Sequence, residues 1–145
     1  MGHRQRRIII WVKKYLKFRF IEDFKMSMDL NFWKYKKGIV HNDSKVYETA
    51  CCDGEVVDGL EELPIDEIMD KIASDFSGWT ALDQNNYEKD GCGAFEIFTT
   101  SQIVRFDCYG MKEADMNLLM DVMIGFGCPL YDPQISTRFD GWTDR

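Results

Sequence analysis

The chain has 145 residues, 45% of them apolar and 14% aromatic, with a formal net charge of −7 at pH 7. That is one domain's worth of sequence with apolar content enough for a core, which excludes a disordered chain and one that depends on disulfide staples. The charge is divided unevenly: residues 1–27 hold eight Lys or Arg against two acids, whereas residues 28–145 hold ten against twenty-three, and such asymmetry marks a tail with a separate role or one outside the domain.

Residues 1–27 therefore read as a basic N-terminal extension and residues 28–145 as a single acidic domain. The apolar run Ile8–Val12 is interrupted by Lys13 and Lys14, too early for a signal peptide or a membrane span. Three readings of the extension stay open. It is a stretch upstream of a start at Met26 or Met28, an accessory strand or helix, or a basic amphipathic arm for an anionic surface.

The alternation from Leu30 to Lys36 predicts a strand rich in aromatics. A polar turn follows, and Lys45–Cys52 (KVYETACC) reads as a second strand that closes an N-terminal hairpin. Between Lys45 and Lys71 there is no basic residue but there are nine acids, Glu48, Asp53, Glu55, Asp58, Glu61, Glu62, Asp66, Glu67 and Asp70. This is either a solvated face or an acidic patch that attracts a basic protein partner, with Glu55, Asp58, Glu61 and Glu62 as its candidate contacts. The order of a calcium loop is missing.

Pro64 opens a helix whose apolar residues, Ile65, Ile68, Met69, Ile72, Ala73 and Phe76, form one stripe. Ser77 and Gly78 end it, Trp79 is expected to fold back on the core, and 81–93 reads as a loop or an irregular edge strand. Ala94–Tyr109 (AFEIFTTSQIVRFDCY) is the plainest signal, a β-hairpin. With Thr100 and Ser101 at the tip, Phe95 faces Phe106, Ile97 faces Val104 and Glu96 faces Arg105; a four-residue loop of the same parity is the alternative. A second helix over 111–126 carries Met116, Leu119, Met120, Met123 and Ile124, with Leu118 and Val122 widening the stripe toward fuller burial. Cys128–Tyr131 is a short final strand, ended by Asp132 and Pro133.

From Lys45 the order is strand, helix, strand, strand, helix, strand, the split arrangement of ferredoxin-like folds. The expected architecture is thus α+β: an antiparallel sheet covered on one face by two helices, β-α-β-β-α-β, with Leu30–Lys36 as an extra N-terminal edge strand.

Chemistry is sparse. The five cysteines have no C-x-x-C spacing, and only His3 and His41 could assist them. They read as reduced thiols of a cytoplasmic protein, with no metal and no cofactor expected. No phosphate loop or nucleophile motif occurs, so no catalytic residue is assigned.

The segments Cys128 to Gln134 (CPLYDPQ) and Arg138 to Asp140 (RFD) resemble the closing stretch of small bacterial proteins of the immunity type. The resemblance implies an acidic, cytoplasmic, non-enzymatic inhibitor that occludes a toxin or nuclease-like partner. It carries over no catalytic residue. Asp132 and Pro133 signal a turn, and Gln134, Arg138 and Trp142 would then be presented beside the sheet, Arg and Trp being frequent binding hot spots. Two alternatives stand beside it. One is a small-molecule sensor or minor enzyme with a pocket lined by Met116, Met120 and Met123. The other is a nucleic-acid-mimicking or phage-encoded inhibitor; the acidic domain itself is not expected to bind nucleic acid.

Overall fold

The computed structural model describes residues 27–139. They form an α+β fold on a seven-stranded sheet in which every neighbouring pair is antiparallel. In chain order the elements are β1 (Ser27–Trp33), a short helix α1 (Asp43–Val46) that continues as a π-helical segment (Tyr47–Cys52), α2 (Ile65–Asp75), β2 (Thr80–Asp83), β3 (Asn86–Lys89), β4 (Gly93–Thr99), β5 (Ile103–Tyr109), α3 (Glu113–Gly125), β6 (Leu130–Asp132) and β7 (Thr137–Arg138). The strands lie in the order β2-β3-β4-β5-β1-β6-β7.

Side-chain alternation gives the sheet two faces. On one, Leu30 and Phe32, Phe95 and Ile97, and Val104 and Phe106 form the main core with Ile68 and Ile72 of α2 and Met116, Leu119, Met120 and Met123 of α3. Phe76, Tyr87, Phe95 and Phe106 make a chain of aromatic contacts through it, and Trp79 does fold back, packing against Phe76 and Phe95. As expected, α3 is buried more completely than α2, with six fully covered residues against two.

On the other face a smaller core joins Trp33, Ile103 and Tyr131 to Val46, Ala50, Cys51 and Leu60. Its cover is α1 and the π-helical segment, and here a correction is needed: residues 45–52 are helical, and the expected N-terminal hairpin does not form. Asn42 caps the helix by accepting from the Lys45 amide, and Asp43 occupies its first turn. Val46 and Ala50 are four residues apart on one helical side, a spacing that an alternating pattern of β-formers disguised.

Other expectations change with the tertiary pairing. The first strand is not at an edge: β5 flanks it on one side and β6 on the other. With residues 45–52 helical and this strand order, the expected ferredoxin-like frame is not what the chain builds, although two helices do share one face. The irregular edge strand read in 81–93 is there as β2, which starts at Thr80 and shifts register against β3 between Ala81 and Asp83. What the reading lacked is β3 itself, joined to β2 at a turn where the Asp83 carboxylate accepts from the amide of Asn85 and the side chain of Asn86. The final strand is displaced to Leu130–Asp132 and is followed by β7.

The hairpin Ala94–Tyr109 forms with its parity intact and its register moved. Phe95 faces Cys108, Ile97 faces Phe106 and Thr99 faces Val104, which leaves four residues at the tip, the loop of the same parity that was the alternative to a Thr100-Ser101 turn. Thr100 sets that tip, since its hydroxyl accepts from the amides of Gln102 and Ile103. Glu96 consequently faces Asp107, and Arg105 faces Phe98. The expected Glu96–Arg105 pair is replaced by one between Arg105 and Asp107 on a single strand, at 2.8 Å.

Candidate functional site

Three of the four acids singled out by sequence, Asp58, Glu61 and Glu62, line one cavity of about 640 Å³ together with Lys36, Val56, Leu60, Ser101 and Gln102. The loop that carries them, between the π-helical segment and α2, is tied down along its length. Lys36 donates its amide to the Gly59 carbonyl and Glu61 donates its amide to the Lys34 carbonyl, both at 2.8 Å, while Tyr35 bridges Leu60. At the far end the Leu63 amide donates to the Ser101 carbonyl at 2.8 Å.

Gln102, at the hairpin tip, is the central clamp. Its side chain is buried, with the oxygen accepting from the Val57 amide at 2.9 Å. Its nitrogen donates to the carbonyls of Val57 at 3.0 Å and Leu60 at 3.4 Å. A buried amide that satisfies backbone groups at both ends of a turn specifies that turn, because losing it would strand those groups without water. Gly59 has φ +95°, and a Cβ there would lie 2.6 Å from His41 Nε2 and 2.8 Å from Ile39 Cγ2. Only glycine fits. His41 in turn meets the Asp58 carbonyl at 2.7 Å.

The loop therefore presents its carboxylates on a fixed backbone. Lys34 reaches Glu61 at 3.7 Å, an exposed pair of small energetic weight. Glu55, Asp58 and Glu62 are exposed and form no ion pair among the described residues. Val56 stands among them with 74% of its surface open. It also borders a second, adjoining cavity of about 400 Å³ lined by His41, Asn42, Lys45, Val46, Thr49, Val57 and Asp58. Val40 and Ile39 are exposed as well, in the segment that leads to His41. An apolar centre with a charged rim is the usual anatomy of a protein-binding surface.

The remaining candidates fall elsewhere. Gln134 sits at the opposite end of β1, beside a polar cavity of about 130 Å³ lined by Ser27, Asp29 and Asp132, and its amide donates to the Asp132 carboxylate at 2.9 Å. Arg138 lies on β7 with its guanidinium 4.7 Å from the centre of the Tyr35 ring and 5.4 Å from that of Trp33. It donates to the Trp33 carbonyl at 2.8 Å, so it fastens β7 to β1. Trp142, like residues 1–26, lies outside the described residues. Sequence reasoning missed Gln102 and Gly59, since nothing local distinguishes them from ordinary turn residues.

Three of the five cysteine thiols are covered, whereas Cys52 is exposed and Cys92 half-buried. Cys51, Cys108 and Cys128 are buried, and burial pushes the Cys51 thiol up to about 12, Cys128 up to about 11 and Cys108 well above the usual range. No cluster of three His, Cys, Asp or Glu able to hold a metal ion occurs among the described residues. Nor is any described helix long and apolar enough to cross a membrane. Met116, Met120 and Met123 are buried in the main core.

Comparison with known proteins finds no family model, no curated protein and no solved structure that matches this chain.

Proposed function

We propose that this chain is a small protein-binding inhibitor of the immunity kind, which captures a basic partner on the loop surface around Val56. The observation that carries the reading is the concavity itself. Asp58, Glu61 and Glu62 border a cavity of about 640 Å³, with an exposed valine at its lip and a backbone held by Gln102. A preorganised loop loses little entropy on binding, and a rim with three carboxylates against one lysine speeds encounter with a partner of opposite charge. The carboxylates supply steering and register; Val56 supplies the dry centre.

The sensor reading needs a cavity bordered by Met116, Met120 and Met123. One cavity of about 620 Å³ on the helix side lies between Asp66, Met69, Ala73 of α2 and Ala81, Asp83, Tyr87 of the β2–β3 hairpin, and Met116, Met120 and Met123 are buried in the main core. Adaptable methionines filling a core account for α3 without a ligand.

The test pairs this chain with the basic proteins encoded beside its gene, by co-expression and by titration of purified proteins at two salt concentrations. Binding is expected to weaken at least about tenfold in a variant carrying Glu55→Gln, Asp58→Asn and Glu62→Gln, and to weaken as salt rises. A complex that forms equally well with this variant would reject the loop as the interface. The absence of any complex with neighbouring gene products would reject the immunity reading.

A further inference from the structure

On the face of the sheet away from α2 and α3, three carboxylates stand in one row. The register places Asp29 of β1 directly opposite Asp107 of β5, and Asp107 directly opposite Glu96 of β4. Like charges facing each other across an antiparallel pair oppose the pairing. Among the described residues, Arg105 is the cation that answers them. Arg105 holds both carboxylate oxygens of Asp107, with Nε at 2.8 Å and Nη2 at 3.1 Å, and its Nη1 donates to the Cys51 carbonyl. The guanidinium also lies over the Phe98 ring, 4.6 Å from its centre.

Arg105 is thereby committed to Asp107 and to the π-helical segment. Asp29 is left facing the Asp107 carboxylate across the strand pair, and a hydrogen bond between two carboxyls can exist only when one of them carries a proton. Among the described residues, the other groups that act on it add no positive charge. Asp132 of β6 contributes further negative potential, Glu96 follows in the row, and Tyr109 lies at the end of β5. The π-helical segment brings Tyr47, Cys51 and Cys52; burial raises Tyr47 and Cys51 away from ionisation. Burial first, and the Asp107 charge second, lift Asp29 from 3.8 to about 6, against the weaker pull of Arg105.

We propose that Asp29 and Asp107 form a proton-operated latch, which closes the entry end of β1 onto β5 when the carboxyls share a proton and loosens it when both are ionised. The latch lies two residues from Ser27, where the basic segment 1–26 joins the sheet. Asp29 has a raised value in the folded chain, so its stabilisation is complete below about pH 4 and is lost as pH rises through about 6. This is the reverse of ordinary acid denaturation.

Two measurements on the full chain test it. Side-chain carboxyl NMR shifts of Asp29 and Asp107 are followed from about pH 4 to about pH 8, and urea midpoints are compared at about pH 5 and about pH 7.5 for the wild type, Asp29→Asn and the exposed control Glu88→Gln. The Asp29 carboxyl should titrate near 6. The folding equilibrium of the wild type and of the control should fall about tenfold between the two pH values, a figure reduced because Asp29 is only half-buried. Asp29→Asn should lack that fall and exceed the wild type at the higher pH. Asp29 titrating below about 4.5, or a fall of equal size in Asp29→Asn, would overturn the proposal. If Asp29→Asn does not fold, the wild-type NMR titration decides alone.

Discussion

The two faces of the sheet are held by different physics. Under α2 and α3 the contacts are apolar and numerous, and the side chains that make them, from Leu30 and Phe32 to Met123, leave little room for choice of chemistry. On the opposite face a small core at Trp33, Ile103 and Tyr131 adjoins a mixed row in which Phe98, Arg105, Asn31, Tyr131 and Arg138 are successive partners across β4, β5, β1, β6 and β7. There each contact is specific and few are redundant. The first face makes the domain stable; the second fixes which way its loops and strand ends are held.

Removing mass from the first face should have the largest effect. Phe106 is fully buried and contacts Phe32 and Phe95. Phe106→Ala is expected to lose about 3–5 kcal/mol, measured as a shift in urea midpoint at constant slope. A loss under about 1 kcal/mol would mean that the helices do not press on the sheet as described.

On the second face, single polar groups should matter more than their size suggests. Gln102→Ala strands the Val57 amide and carbonyl and is expected to cost about 1–3 kcal/mol. Amide exchange at Val57 should accelerate at the same time, whereas exchange in α3 should rise only as far as the global loss requires. Gly59→Ala meets both a positive φ and the His41 ring, for a similar expected cost of about 1–3 kcal/mol with the same local loosening. If either variant instead melts uniformly, the loop is not an independently held unit.

The carboxyl latch should act on a smaller scale. Asp29→Asn is expected to gain about 1 kcal/mol at neutral pH and nothing near pH 4, once screening of a half-exposed group is allowed for. Smallest of all is the rim: neutralising Glu55, Asp58 and Glu62 should move stability by less than about 0.5 kcal/mol, because these exposed groups have no ion-pair partner among the described residues. A surface that changes binding without changing folding is the expected mark of an interface.

How far each face could be read in advance follows from the same contrast. Helix α2 and the hairpin β4–β5 obey a single period over many residues, and burial against one partner enforces that period. The hairpin's parity was therefore legible. Its register was not, because two placements of Thr100 and Ser101 bury the same apolar set and differ only in which charges meet. Lys45–Cys52 misled for a related reason: eight residues of mixed branched and aromatic side chains satisfy a strand by alternation and a helix by the pair Val46 and Ala50. The cap at Asn42 was the available local signal.

The acidic loop shows both halves in one place. Its charge was visible as nine acids with no basic residue among them, and Asp58, Glu61 and Glu62 do converge on one cavity. Gln134 and Arg138 do not join them, since β1 separates its two ends by the length of a strand and Arg138 is spent on Trp33 and Tyr35. Composition and periodicity by themselves determined an acidic α+β domain, its two long helices and the side of the hairpin that is buried, because each of these depends on neighbours within about a dozen residues. The placement of β1 at the sheet's interior, the clamp of Gln102 on Val57 and the meeting of Asp29 with Asp107 were decided only by the tertiary structure, because each depends on partners more than forty residues away that no local pattern encodes.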